Sequence, residues 1–420
     1  MKRKGMFAAL MSAVLAFSQV SAAFAQSGIG PGLVNLAPSD PYSVYQWGFQ
    51  NNGGLSLQTS DLREESFRDL YQSYQDWYRS GQIGVPPRSI EPGDFENRTI
   101  RSVPGVDMNV AEGFKLYREK TADESASVPR DVVVAIIDTG IDTEHPDLSG
   151  ALWTNEDEIP GDGIDNDGNG YIDDVHGYNF YDHSNRIRDN KISDLHGTHA
   201  VGTIGAAYGN GGITGLTDNA HVKLMVLKAL NGRGTGTEES VTEAIRYAEA
   251  NGADICNLSL GTTAYMPKLE QIMANSAMLF VVAAGNGNEQ GIGYDTDQSP
   301  VYPASYASEN IISVANLMFD GTLDESSNYG AQSVDIAAPG SYVLSTAPGG
   351  KYEFLTGTSM AAPMVTGVCA MVYSYRRDLG LLKVKEAVLH TARKLDTLSG
   401  KVSCGGIPDL YAAMQYGLSN

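Results

Sequence analysis

Asp131-Val132-Val133-Val134-Ala135-Ile136-Ile137-Asp138-Thr139-Gly140 is an unbroken apolar, β-branched run that stops on a carboxylate and a glycine. A strand that is apolar on both faces is one buried between two layers, as parallel strands are in α/β proteins. Asp138 then stands at the strand's C-terminal edge, where open α/β sheets gather their ligands. A second run, Leu279-Phe280-Val281-Val282-Ala283-Ala284, ends in Gly285-Asn286-Gly287, and a third, Asp254-Ile255-Cys256-Asn257-Leu258, ends in Ser259-Leu260-Gly261. Further strands are expected over 222–228, 311–315 and 334–338, alternating with helices over 238–250, 360–375 and 384–392. Alternation of this kind predicts an α/β fold, three layers α/β/α around a mostly parallel central sheet.

The segment Gly357-Thr358-Ser359-Met360-Ala361-Ala362-Pro363 places a serine among small residues where an apolar helix, clearest over 365–373, is about to begin. A hydroxyl is a poor nucleophile at neutral pH, so it needs a tight turn, a helix N-terminus and a nearby base. Alone, the segment also reads as an ordinary Ser or Thr helix cap. Asp194-Leu195-His196-Gly197-Thr198-His199-Ala200 supplies a base, a histidine beside a glycine at the start of a small-residue helix. Asp138, His196 and Ser359 follow one another in one of the convergent chain orders of acyl-transfer triads. An Asp-Thr-Gly after a strand also suits an aspartic peptidase, which needs two such carboxylates, yet no second Asp-Thr-Gly or Asp-Ser-Gly occurs. His196 and His199 could ligate a metal, but the chain holds no His-Glu-x-x-His pattern.

These blocks together resemble the subtilisin-like serine peptidases. The resemblance runs from about residue 40 to the C-terminus and is interrupted by an unfamiliar insert near 59–104. It implies that Ser359 attacks the carbonyl, that His196 takes and returns the proton, and that Asp138 orients and stabilises the imidazolium. His199 takes a structural place. Asn286 becomes an oxyanion donor beside the backbone N–H of Ser359, although an Asn between two glycines is in isolation equally a left-handed turn. Ser259, Leu260 and Gly261 would pair with an extended peptide as an added strand, the mode that selects unfolded or loop segments. The specificity pocket would lie between that stretch and 283–286, where Ala284 and Gly285 would bind substrate, with its floor near Val301-Tyr302-Pro303-Ala304-Ser305-Tyr306. Val301 would make it shallow and favour smaller side chains.

The run Asp162-Gly163-Ile164-Asp165-Asn166-Asp167-Gly168-Asn169-Gly170-Tyr171-Ile172-Asp173-Asp174 alternates hard oxygen ligands with turn glycines. Asp165, Asp167 and Asn169 fall at the first, third and fifth positions of an EF-hand-like loop, Tyr171 offers a carbonyl and Asp173 sits at the ninth. His176 replaces the usual closing glutamate, so Asp174 is the substitute ligand. A calcium ion is the expected occupant, the alternative being a solvated acidic turn. Asp147 matches a second calcium position of some relatives, but the loop over 209–216 departs from it.

Lys2, Arg3 and Lys4 precede an apolar run over 6–20 and then Ala23-Phe24-Ala25, the pattern of a secretory signal cleaved before Gln26, with an uncleaved anchor as the alternative. Loss of residues 1–25 removes three basic and no acidic residues, taking the formal charge from −21 to −24. So acidic a chain, without a basic patch, excludes nucleic acid as a partner. No other stretch is apolar enough to span a membrane, so the chain is read as a secreted monomer acting on polypeptides. Cys256, Cys369 and Cys404 allow at most one disulfide. The organisation expected is a signal over 1–25, an N-terminal arm over 26–104 that doubles as a possible prosegment, and a catalytic domain over 105–420. Within the arm, 61–79 reads as an amphipathic helix. A dedicated maturation protease for one exported protein, or an idle scaffold that only binds, keeps the same sequence features.

Overall fold

A computed structural model describes residues 6–8, 40–58, 99–122, 128–189, 192–217, 221–288 and 290–418. The helix expected over 61–79 and most of the signal segment lie outside these residues. The central sheet has seven strands: β1 (Val132–Asp138), β2 (Gly177–Asn179), β3 (Val222–Lys228), β4 (Ile255–Leu258), β5 (Leu279–Ala283), β6 (Ile311–Leu317) and β7 (Ile336–Pro339). Their order is β7-β6-β5-β4-β1-β3-β2, and every neighbouring pair is parallel. A wholly parallel sheet must be covered on both faces.

Side-chain alternation shows how the cover divides. Val134 and Ile136 of β1, Leu224 and Val226 of β3, and Val281 of β5 enter one core with α1 (Val110–Thr121), α2 (Leu195–Gly205), α5 (Thr358–Tyr375), α6 (Leu381–His390) and α7 (Leu410–Gln415). Ala135 and Ile137, Met225 and Leu227, and Phe280 and Val282 enter the other, with α3 (Glu238–Ala250) and α4 (Pro267–Asn275). These are the three layers α/β/α that the alternation predicts. The helix α5 is buried along nearly its whole length, which is why its sequence is apolar all round rather than striped.

Two boundaries move. The serine helix begins at Thr358 rather than at the expected 360, so Ser359 lies in the first turn of α5. The helix expected over 384–392 runs instead from Leu381 to His390 after Gly380. Helices α1 and α4 and the edge strand β2 were not foreseen; all are short or polar on one side.

Residues 40–58 share the catalytic core. Phe49 is buried with α1 and α5, Trp47 packs edge-on to Phe319, and the Asp40 carboxylate accepts from Gly209 N, Gly211 N and Thr214 Oγ1. Antiparallel pairing of Ser56–Gln58 with Thr99–Arg101 brings the two ends of the insert together. Residues 6–8 lie antiparallel along Thr235–Thr237. Among the described residues no helix is long and apolar enough to cross a membrane.

Candidate active site

Strand β1 carries Asp138 to the carboxyl edge of the sheet, and α2 starts at the same edge with His196 in its first turn. The helix comes close because Gly197 has no side chain: a Cβ there would meet the Gly140 carbonyl at 2.2 Å. Asp138 Oδ1 and Oδ2 lie 2.8 and 2.9 Å from His196 Nδ1. Asp138 also accepts from Thr139 N at 2.6 Å, and both members of the pair are buried. Nδ1 therefore carries the proton, leaving Nε2 as the basic nitrogen. Burial disfavours the imidazolium, but the charge and hydrogen bond of Asp138 outweigh it and raise His196 above the ordinary 6.5. Among the described residues His196 Nε2, itself buried, has no hydrogen-bond partner.

Ser359 is the second residue of α5, so its backbone N–H has no acceptor within the helix. Pro363, four residues on, has no N–H to give the Ser359 carbonyl, and Ser259 Oγ donates to that carbonyl instead at 3.0 Å. The Ser359 hydroxyl in turn donates to the Ser259 carbonyl at 3.3 Å. It is therefore not bonded to His196, although α2 and α5 pack together. Asn257, Ser259 and Thr366 extend the stitch, with Asn257 Nδ2 donating to Ser259 Oγ and Thr366 Oγ1 donating to Asn257 Oδ1.

Strand β5 delivers Asn286. Its Oδ1 accepts from Thr358 N at 2.7 Å and Thr358 Oγ1 at 2.9 Å, which fixes the orientation of the amide and makes Nδ2 its donor end. Gly285 takes a positive φ of 101°, turning the chain so that Asn286 reaches the start of α5. Asn328, buried and not singled out in the sequence, braces this turn: its Nδ2 donates to the Ala284 carbonyl, its N–H to the Gly285 carbonyl, and its Oδ1 accepts from Gly287 N. Ser259 and Leu260 are buried. Thr262 and Tyr302 exchange backbone hydrogen bonds at 2.8 Å in both directions, joining this segment to the stretch that holds buried Val301.

In the acidic loop two of the expected ligands come together with a carboxylate from outside the run. Oxygens of Asp165, Asp167 and Glu158 lie within 4.8 Å of one another. Glu158 stands outside the glycine-rich run, which is why its spacing gave no signal. Asp173 turns away, accepting from Gly161 N and Gly163 N at a positive φ of 54°. Asp174 is fully buried and accepts from Asn155, Asn169 and Tyr247. Asn169 spends its side chain inside the loop, donating to Asp167 and Asp174 and accepting from Tyr171 N. The Tyr171 ring packs against Tyr178, Phe180 and Tyr247. Burial works to raise the Asp167 carboxyl, yet hydrogen bonds from Asn155 and Asn169 hold it below the usual range. Asp147 accepts from Ile213 N, and Asp40 meets the same loop by accepting from Gly209 N and Gly211 N.

Burial drives His199 down to about 3, and its Nε2 lies 2.9 Å from the Val343 carbonyl. It stays neutral and braces α2 against the hairpin of Val343–Ala347 and Lys351–Leu355. Neither His196 nor His199 joins a metal-ligand cluster among the described residues. All three cysteines are free thiols, Cys256 and Cys369 buried, with burial pushing Cys369 up to about 12.

A seven-stranded parallel sheet whose carboxyl edge joins a buried carboxylate–imidazole pair to a serine at a helix N-terminus is the architecture of an α/β serine-type endopeptidase. The pattern that defines the subtilase family matches residues 129–405, and the chain belongs to that family. The major intracellular serine protease of Bacillus subtilis (strain 168) is 34% identical over 302 residues, covering 69% of this chain and 86% of the relative. Thermitase of Thermoactinomyces vulgaris is 33% identical over 287 residues, covering 67% and 88%. Subtilisin-like protease 1 of Plasmodium berghei (strain Anka) is 31% identical over 330 residues, 74% of this chain but only 54% of that longer relative. The chain is a serine-type endopeptidase, and its substrates are polypeptides.

Because the folded His196 is raised, the stability linked to its proton is fully present below about 6.5 and lost as pH rises through the folded value. NMR titration of His196 is expected to give a midpoint above 6.5, and Asp138→Asn to bring it below, since burial then acts alone. A midpoint indifferent to Asp138→Asn would contradict this assignment of cause.

Proposed function

We propose that Ser359, His196 and Asp138 hydrolyse peptide bonds as nucleophile, general base and orienting carboxylate, in a secreted, calcium-stabilised monomer. The observation that carries the reading is the His196 imidazole, fixed at Nδ1 by Asp138 and presenting a buried, unpartnered Nε2 beside the serine helix. An extended peptide joins the backbone of Ser259, Leu260 and Gly261 as an added strand. That the short strand Thr235–Thr237 already takes residues 6–8 antiparallel supports strand addition as the binding mode, and loss of a signal segment would leave this strand open.

Turning of the Ser359 hydroxyl from the Ser259 carbonyl to His196 Nε2 starts the reaction. The oxygen attacks the carbonyl carbon as its proton passes to Nε2, and Asp138 stabilises the imidazolium. The oxyanion takes hydrogen bonds from Asn286 Nδ2 and Ser359 N–H; an Asn donor of this kind is worth on the order of 10²–10³ in turnover, a magnitude drawn from another member of the same family. His196 gives its proton to the leaving amine as the carbon–nitrogen bond breaks. Water, deprotonated by the same nitrogen, then releases the acyl group from Ser359. Buried Val301 beside the Thr262–Tyr302 bridge narrows the pocket for the side chain preceding the cut. A fluorophosphonate is expected to label Ser359 and not a folded Ser359→Ala protein, and cleavage of a denatured proteome to fall after small side chains. Labelling that survives Ser359→Ala removes the nucleophile from this scheme, and a preference for large aromatics removes the shallow pocket.

Calcium would be held by Asp165, Asp167 and Glu158, whose converging carboxylates repel one another without a cation. It would supply charge neutralisation that keeps the loop folded. Chelation is expected to lower the melting temperature of the protein, and Glu158→Gln to reduce both that temperature and its rise with added calcium. A melting temperature indifferent to calcium and chelator rules the ion out.

Export rests on Lys2, Arg3 and Lys4, the apolar run behind them and Ala23-Phe24-Ala25. N-terminal sequencing of protein recovered outside the cell is expected to start between Gln26 and Asp40, since Asp40, Trp47 and Phe49 are buried in the core. Protein retained in the cell with Met1 in place would end this part of the proposal.

A further inference from the structure

Lys228 is a fully buried charge that the scheme above does not use. Its side chain is 1% exposed, and lysine is almost never found so deep unless paired. It ends β3, directly beside Asp138 in the parallel register. Its ammonium donates to the Thr139 carbonyl and lies 3.3 Å from Asp189 Oδ2. Thr139 is the residue whose N–H holds Asp138 Oδ1 at 2.6 Å. Asp189, through its own N–H, bonds Asp194 Oδ2 at 2.6 Å, and Asp194 caps the start of α2, where its carbonyl accepts from Thr198 Oγ1. Three parts of this assembly converge on one glycine: a Cβ at Gly140 would meet the Ile187 carbonyl at 2.6 Å, the Lys228 stem at 3.1 Å and Asp194 Oδ1 at 3.3 Å.

We propose that Lys228 is a positioning residue for the Asp138–His196 pair, clamping the turn after Asp138 and, through Asp189 and Asp194, the first turn of the helix that carries His196. Both carriers are then referred to one buried ammonium. Asp189 shares its carboxylate with exposed Arg186, so the clamp reaches the surface on one side only. The reasoning rests on the triad reading and refines it: the two elements bearing the dyad come from distant parts of the chain, and a contact of 2.8 Å between them needs a common reference. Misplacement of reacting groups by about 1 Å costs on the order of a hundredfold in rate.

Lys228→Met keeps the stem and removes the charge; Asp189→Asn, at a half-open site, removes the partner without opening a cavity. Each is compared with the parent for folding, kcat and KM on a peptide substrate, and rate of fluorophosphonate labelling. The expected result for folded variants is a fall of about tenfold or more in kcat and in labelling rate, with KM within about twofold. If Lys228→Met does not fold, Asp189→Asn decides by the same measure. Parent values of kcat and labelling in a folded variant overturn the inference, and so does a loss that only follows a falling melting temperature. A parent protein that fails to label overturns the triad reading itself, and the two failures are thereby told apart.

Discussion

The contact on which the rest depends is the hydrogen bond between two buried groups, Asp138 and His196. Each alone would be costly in a dry interior, and together they satisfy one another on one side only. Much of the local sequence is explained by keeping that contact short. Strand β1 is apolar on both faces so that its last residue is held by two cores, and α2 is built from small residues so that it can approach. Gly202 repeats the point further along, since a Cβ there would meet Thr346 Oγ1 at 2.1 Å.

The serine side is organised by a backbone deficit. Pro363 denies the Ser359 carbonyl its helical donor, and the vacancy is filled by Ser259, the first residue of the segment read as the substrate's partner. The helix that carries Ser359 and the segment that begins at Ser259 are thus one hydrogen-bonded unit. Asn286 joins it through Thr358, and Asn328 holds the turn that presents Asn286. A proline inside a helix ordinarily weakens it by about 3 kcal/mol. Here the burial of nearly all of α5 offsets that cost and puts the lost hydrogen bond to use.

Much of this was legible in the sequence because strand ends and helix starts leave local signatures. The runs before Asp138 and Asn286 are apolar at every position, and Ser359 and His196 sit among glycines and alanines that allow close approach. What stayed hidden depends on contacts across the chain. Lys228 reads as an ordinary polar end to a strand until Asp189 is folded against it. Glu158 precedes the glycine-rich acidic run and enters it only when the loop closes, while Asp174, which looks like a ligand by spacing, is drawn inward by Tyr247 and Asn155. That α5 tolerates Pro363 follows from Ser259, about a hundred residues earlier in the chain.

The central claim is that one buried imidazole nitrogen awaits the Ser359 hydroxyl opposite a donor pair made by Asn286 and the serine's own backbone. A crystal structure of the fluorophosphonate adduct tests it most directly. The account predicts phosphorus on Ser359 Oγ, its oxyanion within about 2.7–3.1 Å of both Asn286 Nδ2 and Ser359 N, and His196 Nε2 within hydrogen-bond reach of the adduct with Asp138 still on Nδ1. An adduct on another residue, or an oxyanion turned away from Asn286 and the Ser359 N–H, would contradict it.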